Sequence, residues 1–387
     1  MQVDAAFKEY FSGRLRQVFL YITDVCGLRC EQCLYKTTLA NREMDLQSTL
    51  ALVRLFREYG AAKLTFIGGE PTLYGYKQKN QPLFEVIEVA RGLGYEYIRL
   101  DTNGQGNHTI LDNLSFRKLD NLSFSLDGHT SEINDTLRGR GTFARCTEMI
   151  RKATSLGYYV SITSCVHPGN LDYIDEMIEF VTALGASEFN MHPLFKMGID
   201  RDTFTGNTNI DPHAWVDVYN KIRVKIDEGQ YPIPVRLPQR FVRTTEYLLD
   251  PEAYDYCPVR MGERVLVHPN GEIRICALCI GSPYHIATYN RDEIRFGAPQ
   301  SEISSERLKR LPCMSQVANF GDLTPLCISY KPHQNEYVWT TGQVDSRLFD
   351  RTHQEPLPRE ASLSEELIAP SAESWQALHF LGANSRV

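Results

Sequence analysis

The 387-residue chain carries 41 basic against 48 acidic residues, a formal charge of −7, with 42% hydrophobic and 23% charged residues. That is ordinary soluble globular composition, long enough for one large body plus a smaller one, and its acidic balance argues against broad electrostatic binding of nucleic acid or anionic membrane. Ten cysteines, with neither a secretory apolar stretch at the N-terminus nor a membrane-length apolar run, read as reduced thiols of a cytoplasmic protein, where metal binding, chemistry or core packing outweigh disulfides.

After an extension over 1–16, the pattern from Gln17 to Gly229 alternates β-rich runs with helix-length segments. Expected strands are "VFLYITDV" (18–25), "KLTFIG" (63–68), "YIRLDT" (97–102), "LSFSLD" (122–127), "YVSITSCV" (159–166) and "EFNMHPL" (188–194). They read as largely apolar or β-branched, as strands buried on both faces should be. A helix is expected over 45–59, with Leu46, Leu50, Val53 and Phe56 on one face and Gly60 to end it. Another is expected over 170–184, with Asn170 as its N-cap, a stripe of Ile174, Met177, Val181 and Leu184, and Gly185 following. Six β–α units in series predict an α/β fold: a parallel sheet with right-handed crossovers, curled into a partial (β/α)6 TIM-like barrel over 17–235. Chemistry in such barrels gathers at the carboxyl ends of the strands.

The register changes near 230, where "YPIPVRLPQ" is proline-rich. "VLVHPNGEIRIC" then reads as a β-hairpin turning at Asn270-Gly271. A small α+β domain is expected over 250–335, and a cover or tail over 336–387.

Cys26, Cys30 and Cys33 fall in the loop immediately after the first strand. This Cx3Cx2C spacing is too tight for a zinc finger made from the loop alone, and no nearby histidine completes one. Iron–sulfur clusters tolerate such spacing, and three protein thiolates on a cubane leave one iron open. Gly68-Gly69-Glu70-Pro71 follows the second strand, "DTNG" the third and "SLDG" the fourth, with "NDTLRGRGTF" beyond it.

In that order these motifs resemble the radical SAM superfamily. The resemblance implies S-adenosylmethionine (SAM) as ligand of the open iron of a [4Fe-4S] cluster. Reductive cleavage would then give a 5′-deoxyadenosyl radical that takes hydrogen from substrate. It implies that Gly68, Gly69, Glu70 and Pro71 receive the cofactor's ammonium group. By the same resemblance Asn103 and Ser125 contact its methionine or ribose, Arg138 its carboxylate through a bidentate fork, and Thr163 its ribose. The family often has an aromatic residue before the third cysteine, lying on the adenine. Here that residue is Gln32, with Tyr35 two positions past Cys33.

A second set of cysteines resembles the start of SPASM and twitch auxiliary-cluster domains, since Cys257, Gly271 and Cys276 follow Cx9–15Gx4C. A twitch-like domain with one auxiliary [4Fe-4S] cluster fits the count. Cys257, Cys276, Cys313 and Cys327 are its expected ligands, the later pair after a helix at "SSERLKRL", with Cys279 a rival. A zinc site or core cysteines are the bland alternative. Cys146 and Cys165 read as core, Cys165 being the one whose strand faces the pocket.

The resemblance implies a net oxidation or rearrangement in natural-product or cofactor biosynthesis, with electrons from a flavodoxin or ferredoxin. His192 and Lys196, at the end of the sixth strand, are candidate catalytic groups, with His129 and His167 behind them. The residues before Gln17 are expected to leave no room for a leader-peptide-binding domain, which favours a small-molecule substrate over a long ribosomal peptide. Other classes are a non-catalytic iron–sulfur electron carrier and a zinc-binding interaction module.

Overall fold

The structure, a computed structural model, describes residues 1–33, 35, 39–106, 109–114, 118–195, 208–237, 240–254, 258, 261–274, 276–277, 285–296 and 321–326. The chain divides into two units, Met1–Gln354 and Glu355–Val387, of which only the first contains described residues. Lys196, Cys257, Cys279, Cys313, Cys327 and the "SSERLKRL" segment lie outside the described residues.

The strands are β1 (Gln2–Val3), β2 (Gln17–Thr23), β3 (Lys63–Gly68), β4 (Tyr97–Thr102), β5 (Asn121–Ser125), β6 (Val160–Val166), β7 (Glu188–Pro193), β8 (Val235–Arg236), β9 (Phe241–Arg243), β10 (Arg264–Val267), β11 (Glu272–Arg274), β12 (His285–Tyr289), β13 (Glu293–Phe296) and β14 (Leu323–Pro325). The helices are α1 (Ala5–Phe11), α2 (Leu46–Glu58), α3 (Gln81–Gly92), α4 (Ile110–Asn113), α5 (Ser131–Arg138), α6 (Thr142–Ser155), α7 (Ile174–Ala183), α8 (Pro212–Asp227) and α9 (Thr244–Leu249).

All six expected strands form, and β2 to β7 lie side by side in parallel with helices in the crossovers. Among the described residues the sheet stays open, as a partial barrel should. Two additions come from segments that carried no barrel signal. β8, from the proline-rich stretch, adds a seventh parallel strand beside β7. At the opposite side β10 pairs in parallel with β2, so the expected hairpin β10–β11 continues the barrel sheet through β12 and β13. β1 closes that edge against β13, while β9 and β14 form a separate antiparallel pair.

The strands are not apolar on both faces. Ile98, Leu100, Leu122, Phe124, Ile162 and Phe189 are buried against the helices. Alternate positions Arg99, Asp101, Ser123, Thr163, Glu188 and His192 line the inner face, since side chains in a strand point to opposite sides in turn. Arg99 donates from Nη2 to Ser123 Oγ (3.0 Å) and Thr163 Oγ1 (3.4 Å) and pairs with Asp101. Arg236 of β8 pairs with Glu188 at 2.8 Å. The lumen is therefore polar, its charges paired with opposite ones within β4 and across β7–β8.

Asp45 caps α2 by accepting from Ser48 N, and the expected stripe packs on the sheet, with Leu50, Val53 and Phe56 buried. Asn170 does not cap α7, which a 3-10 turn over Leu171–Tyr173 precedes. Its amide Nδ2 instead donates to the carbonyls of Asp127 (2.8 Å) and Cys165 (2.9 Å), tying the ends of β5 and β6 together.

Candidate active site at the carboxyl ends of the strands

The cysteine loop is set by its neighbour rather than by its own sequence. Where β3 ends, Gly69 N donates to Thr23 O (2.7 Å) and Glu70 N to Val25 O (2.7 Å), extending the β2–β3 pairing to the residue before Cys26. Only glycine fits there. A Cβ on Gly68 would stand 2.3 Å from Thr23 O, and one on Gly69 2.4 Å from Val25 O. Gly68 also has φ +145°, which L residues avoid.

Glu70 follows, buried, with a fully occupied carboxylate. Oε1 accepts from Thr72 N (3.1 Å), Thr72 Oγ1 (2.6 Å) and Thr102 Oγ1 (2.8 Å), and Oε2 from Asn103 N (2.7 Å). It thus fastens the end of β3 to the end of β4. Burial pushes its pKa up, against the pull of these donors. Pro71 opens the short 3-10 turn that Glu70 caps.

Cys26, Cys30 and Cys33 are partly buried, and none of the three is in a disulfide. Leu28 N donates to Cys26 Sγ at 3.4 Å, and Asn103 Nδ2 approaches the same sulfur to 3.7 Å. Amides aimed at a sulfur stabilise thiolate and cluster sulfur alike, so the donor set fits an iron–sulfur group. Burial pushes the Cys26 thiol up and that of Cys30 up to about 11; metal binding there would release protons. Among the described residues no three His, Cys, Asp or Glu side chains form a single-ion cage.

Asp127 is the hub beside this loop. Its fully buried carboxylate accepts from Gln32 Nε2 (2.6 Å), Arg138 Nη2 (3.0 Å) and Cys165 N (2.8 Å), with Arg138 Nε 2.7 Å away. The Arg138 fork expected for a ligand carboxylate is thus turned onto Asp127. Burial works against the Arg138 charge, but Asp127 outweighs it and its pKa is raised. Sequence reasoning quoted "SLDG" yet singled out only Ser125. The signal it passed over was an acidic residue just past a strand end with an arginine eleven positions on.

The remaining sites are distributed as follows. Ser125 ends β5, opposite Thr163 of β6. Tyr35 bonds the Tyr21 hydroxyl (2.6 Å), and Tyr21 stacks flat on His268 at 4.1 Å. Cys276 lies close enough to Tyr21 for its charge to raise that phenol's pKa, after the larger effect of burial. Cys146 is core: buried, its thiol pushed up to about 12. Cys165 faces inward, paired with His192 across β6–β7. Burial, then Arg99, push the His192 pKa down to about 4. His129 tilts against Tyr173 at 5.5 Å.

With this geometry in place, residues 20–181 match the family model described as the Radical SAM superfamily. This stretch is similar to radical SAM domains. Among solved structures, Streptococcus suis SuiB bound to the precursor peptide SuiA superposes with a TM-score of 0.61 at 14% identity, over 79% of this chain and 70% of that one. SuiB bound to S-adenosylmethionine gives 0.56 at 18% identity; this chain covers 65% of it, under two thirds, with 74% of its own length. AnSMEcpe with bound AdoMet and Cp18Cys peptide gives 0.53 at 16% identity, over 76% and 79%. At these identities the likeness is one of fold. No helix among the described residues is long and apolar enough to cross a membrane.

Proposed function

We propose that the protein is a radical SAM enzyme whose Cys26, Cys30 and Cys33 hold a [4Fe-4S] cluster with SAM on its open iron. The observation that carries this is the cysteine loop itself: three cysteines outside any disulfide after a parallel strand, held by the Gly68–Glu70 backbone and met by the Asn103 amide. When bound, cluster and SAM supply a carbon-centred radical that removes a hydrogen atom from substrate. The chain's own residues bind and position: the glycines let the end of β3 press against the backbone that leads into the cysteine loop, Glu70 locks β3 to β4, and the polar lumen receives the substrate.

His192 is proposed as the group that takes a proton. Burial, then Arg99, hold its ring neutral, which leaves a nitrogen lone pair to take a proton but makes it a weak base, since the same effects disfavour the charged ring. The reaction is a net oxidation or rearrangement. Residues 250–335 are proposed as a twitch-like domain with one auxiliary cluster, supported by the hairpin that returns Cys276 beside Tyr21. A small polar molecule suits the lumen. A peptide substrate is the second reading, favoured by the peptides in the SuiB and anSMEcpe structures. The electron donor is proposed to be a flavodoxin or ferredoxin, and the compartment the cytoplasm.

Anaerobic purification tests this. Brown protein with about eight irons per chain, or about four per cluster, that cleaves SAM to methionine and 5′-deoxyadenosine on reduction supports the reading. Cleavage with about four irons removes the auxiliary cluster. Colourless zinc protein defeats the proposal.

A further inference from the structure

Two charged groups in the lumen each keep one polar atom open, and the two atoms are of opposite type. Arg99 of β4 is anchored by three acceptors. Its Nε donates to Asp101 Oδ1, and its Nη2 to Ser123 Oγ (3.0 Å) and Thr163 Oγ1 (3.4 Å). Among the described residues nothing accepts from Nη1, and nothing donates to Asp101 Oδ2, since that carboxylate takes its one bond at Oδ1. Neither atom is among the enclosed orphans of the fold. The Arg99 and Asp101 side chains are 23% and 24% exposed, so the space they face is reachable.

The place of this pair in the barrel ties it to the rest of the site. In the β6–β7 ladder Thr163 lies opposite Asn190, and Cys165 opposite His192. The half-buried His192 is therefore the next inward residue of β7 beyond the partner of Thr163, and the charge of Arg99 reaches it. Along β4, Arg99 and Asp101 precede Asn103, whose amide approaches Cys26 Sγ to 3.7 Å. At about 3.3 Å per residue, the two positions lie roughly 13 Å and 7 Å of strand below the residue that meets the cysteine loop.

An open guanidinium nitrogen beside an open carboxylate oxygen is best met by charges of the opposite order. A lone anion on Arg99 would stand against Asp101, and also against Glu188, whose charge acts on Arg99. A lone cation on Asp101 would stand against Arg99. A zwitterion satisfies both, and the head of an α-amino acid carries its carboxylate and ammonium on one carbon.

We propose that the lumen holds its substrate by an α-amino acid head, with the carboxylate on Arg99 Nη1, the ammonium on Asp101 Oδ2 and the side chain rising toward the cysteine loop past His192. This rests on the proposed function and names the substrate class of that site: a free amino acid or its side-chain derivative. A residue inside a peptide lacks both head charges.

The test is equilibrium dialysis against the reconstituted holoprotein with SAM and no reductant, so that nothing turns over. The probes are the common L-amino acids other than methionine, which is itself a fragment of SAM, with glucose, myo-inositol and adenosine as uncharged polyols. At least one amino acid should bind, and its N-acetyl and its carboxamide derivatives should each bind about tenfold more weakly. Asp101→Asn should erase the N-acetyl penalty and keep the carboxamide penalty; Arg99→Met should do the reverse. A purely structural role would weaken all three ligands together and leave both ratios intact. Where Arg99→Met does not fold, the Asp101→Asn ratios decide. Binding of polyols but no amino acid, binding of none of the probes, or ratios that neither substitution moves overturn the inference; if that protein still cleaves SAM on reduction, the proposed function stands. A protein that holds no iron and binds no SAM overturns both.

Discussion

Replacing Asp127 by Asn isolates what the hub contributes. The two side chains match in volume, so no cavity opens, and the loss is electrostatic. Arg138, 10% exposed at its side chain, would keep its charge opposite a neutral amide. One of the three donors, Gln32 Nε2, Arg138 or Cys165 N, would face an N–H instead of an oxygen. Removing one partner of a buried ion pair costs about 3–5 kcal/mol. At about 1.4 kcal/mol per decade, amides near Cys165 should exchange hydrogen roughly two to four orders of magnitude faster, read by mass spectrometry on peptides spanning β6. The control is Asp112→Asn, which breaks a pair with Lys152 whose side chains are 30% and 50% exposed; it should cost under about 1 kcal/mol. Equal, small effects for both substitutions would refute the hub.

Gly69→Ala should displace the cysteine loop, because its Cβ would press on the Val25 carbonyl, whereas Gly27→Ala meets nothing within 4 Å; iron incorporation after reconstitution separates the two. Glu70→Gln should cost about 2 kcal/mol, since the new amide nitrogen meets one of the donors from Thr72, Thr102 or Asn103. Measured by urea titration, an unchanged midpoint would count against the brace. The fold favours neutral rings at His192, pushed down to about 4, and His268, pushed down to about 3, both chiefly by burial. Stability from these groups is therefore complete above their ordinary value of 6.5 and is lost as pH falls from there toward 4 and 3. His268→Phe, which keeps a flat ring on Tyr21, should flatten the acid limb of a stability–pH curve.

The sequence by itself determined the local pieces. β3 and β4 fall where "KLTFIG" and "YIRLDT" placed them, because strand periodicity and the glycines that punctuate it are written in neighbouring residues. The cysteines landed in a loop after a strand for the same reason. Only the tertiary structure decided what those pieces face. Arg99 of β4 and Thr163 of β6, far apart in the chain, meet in one lumen, and the alternation in "YIRLDT" acquires a meaning only once the sheet curves. β8 and β10 became strands of the barrel sheet by lying along β7 and β2, a register no local pattern specifies. Asn170 left its expected cap to join Asp127. Whether a polar side chain caps, braces or waits for a ligand depends on which donors and acceptors folding brings within about 3 Å, and that distance is set by residues a hundred positions away.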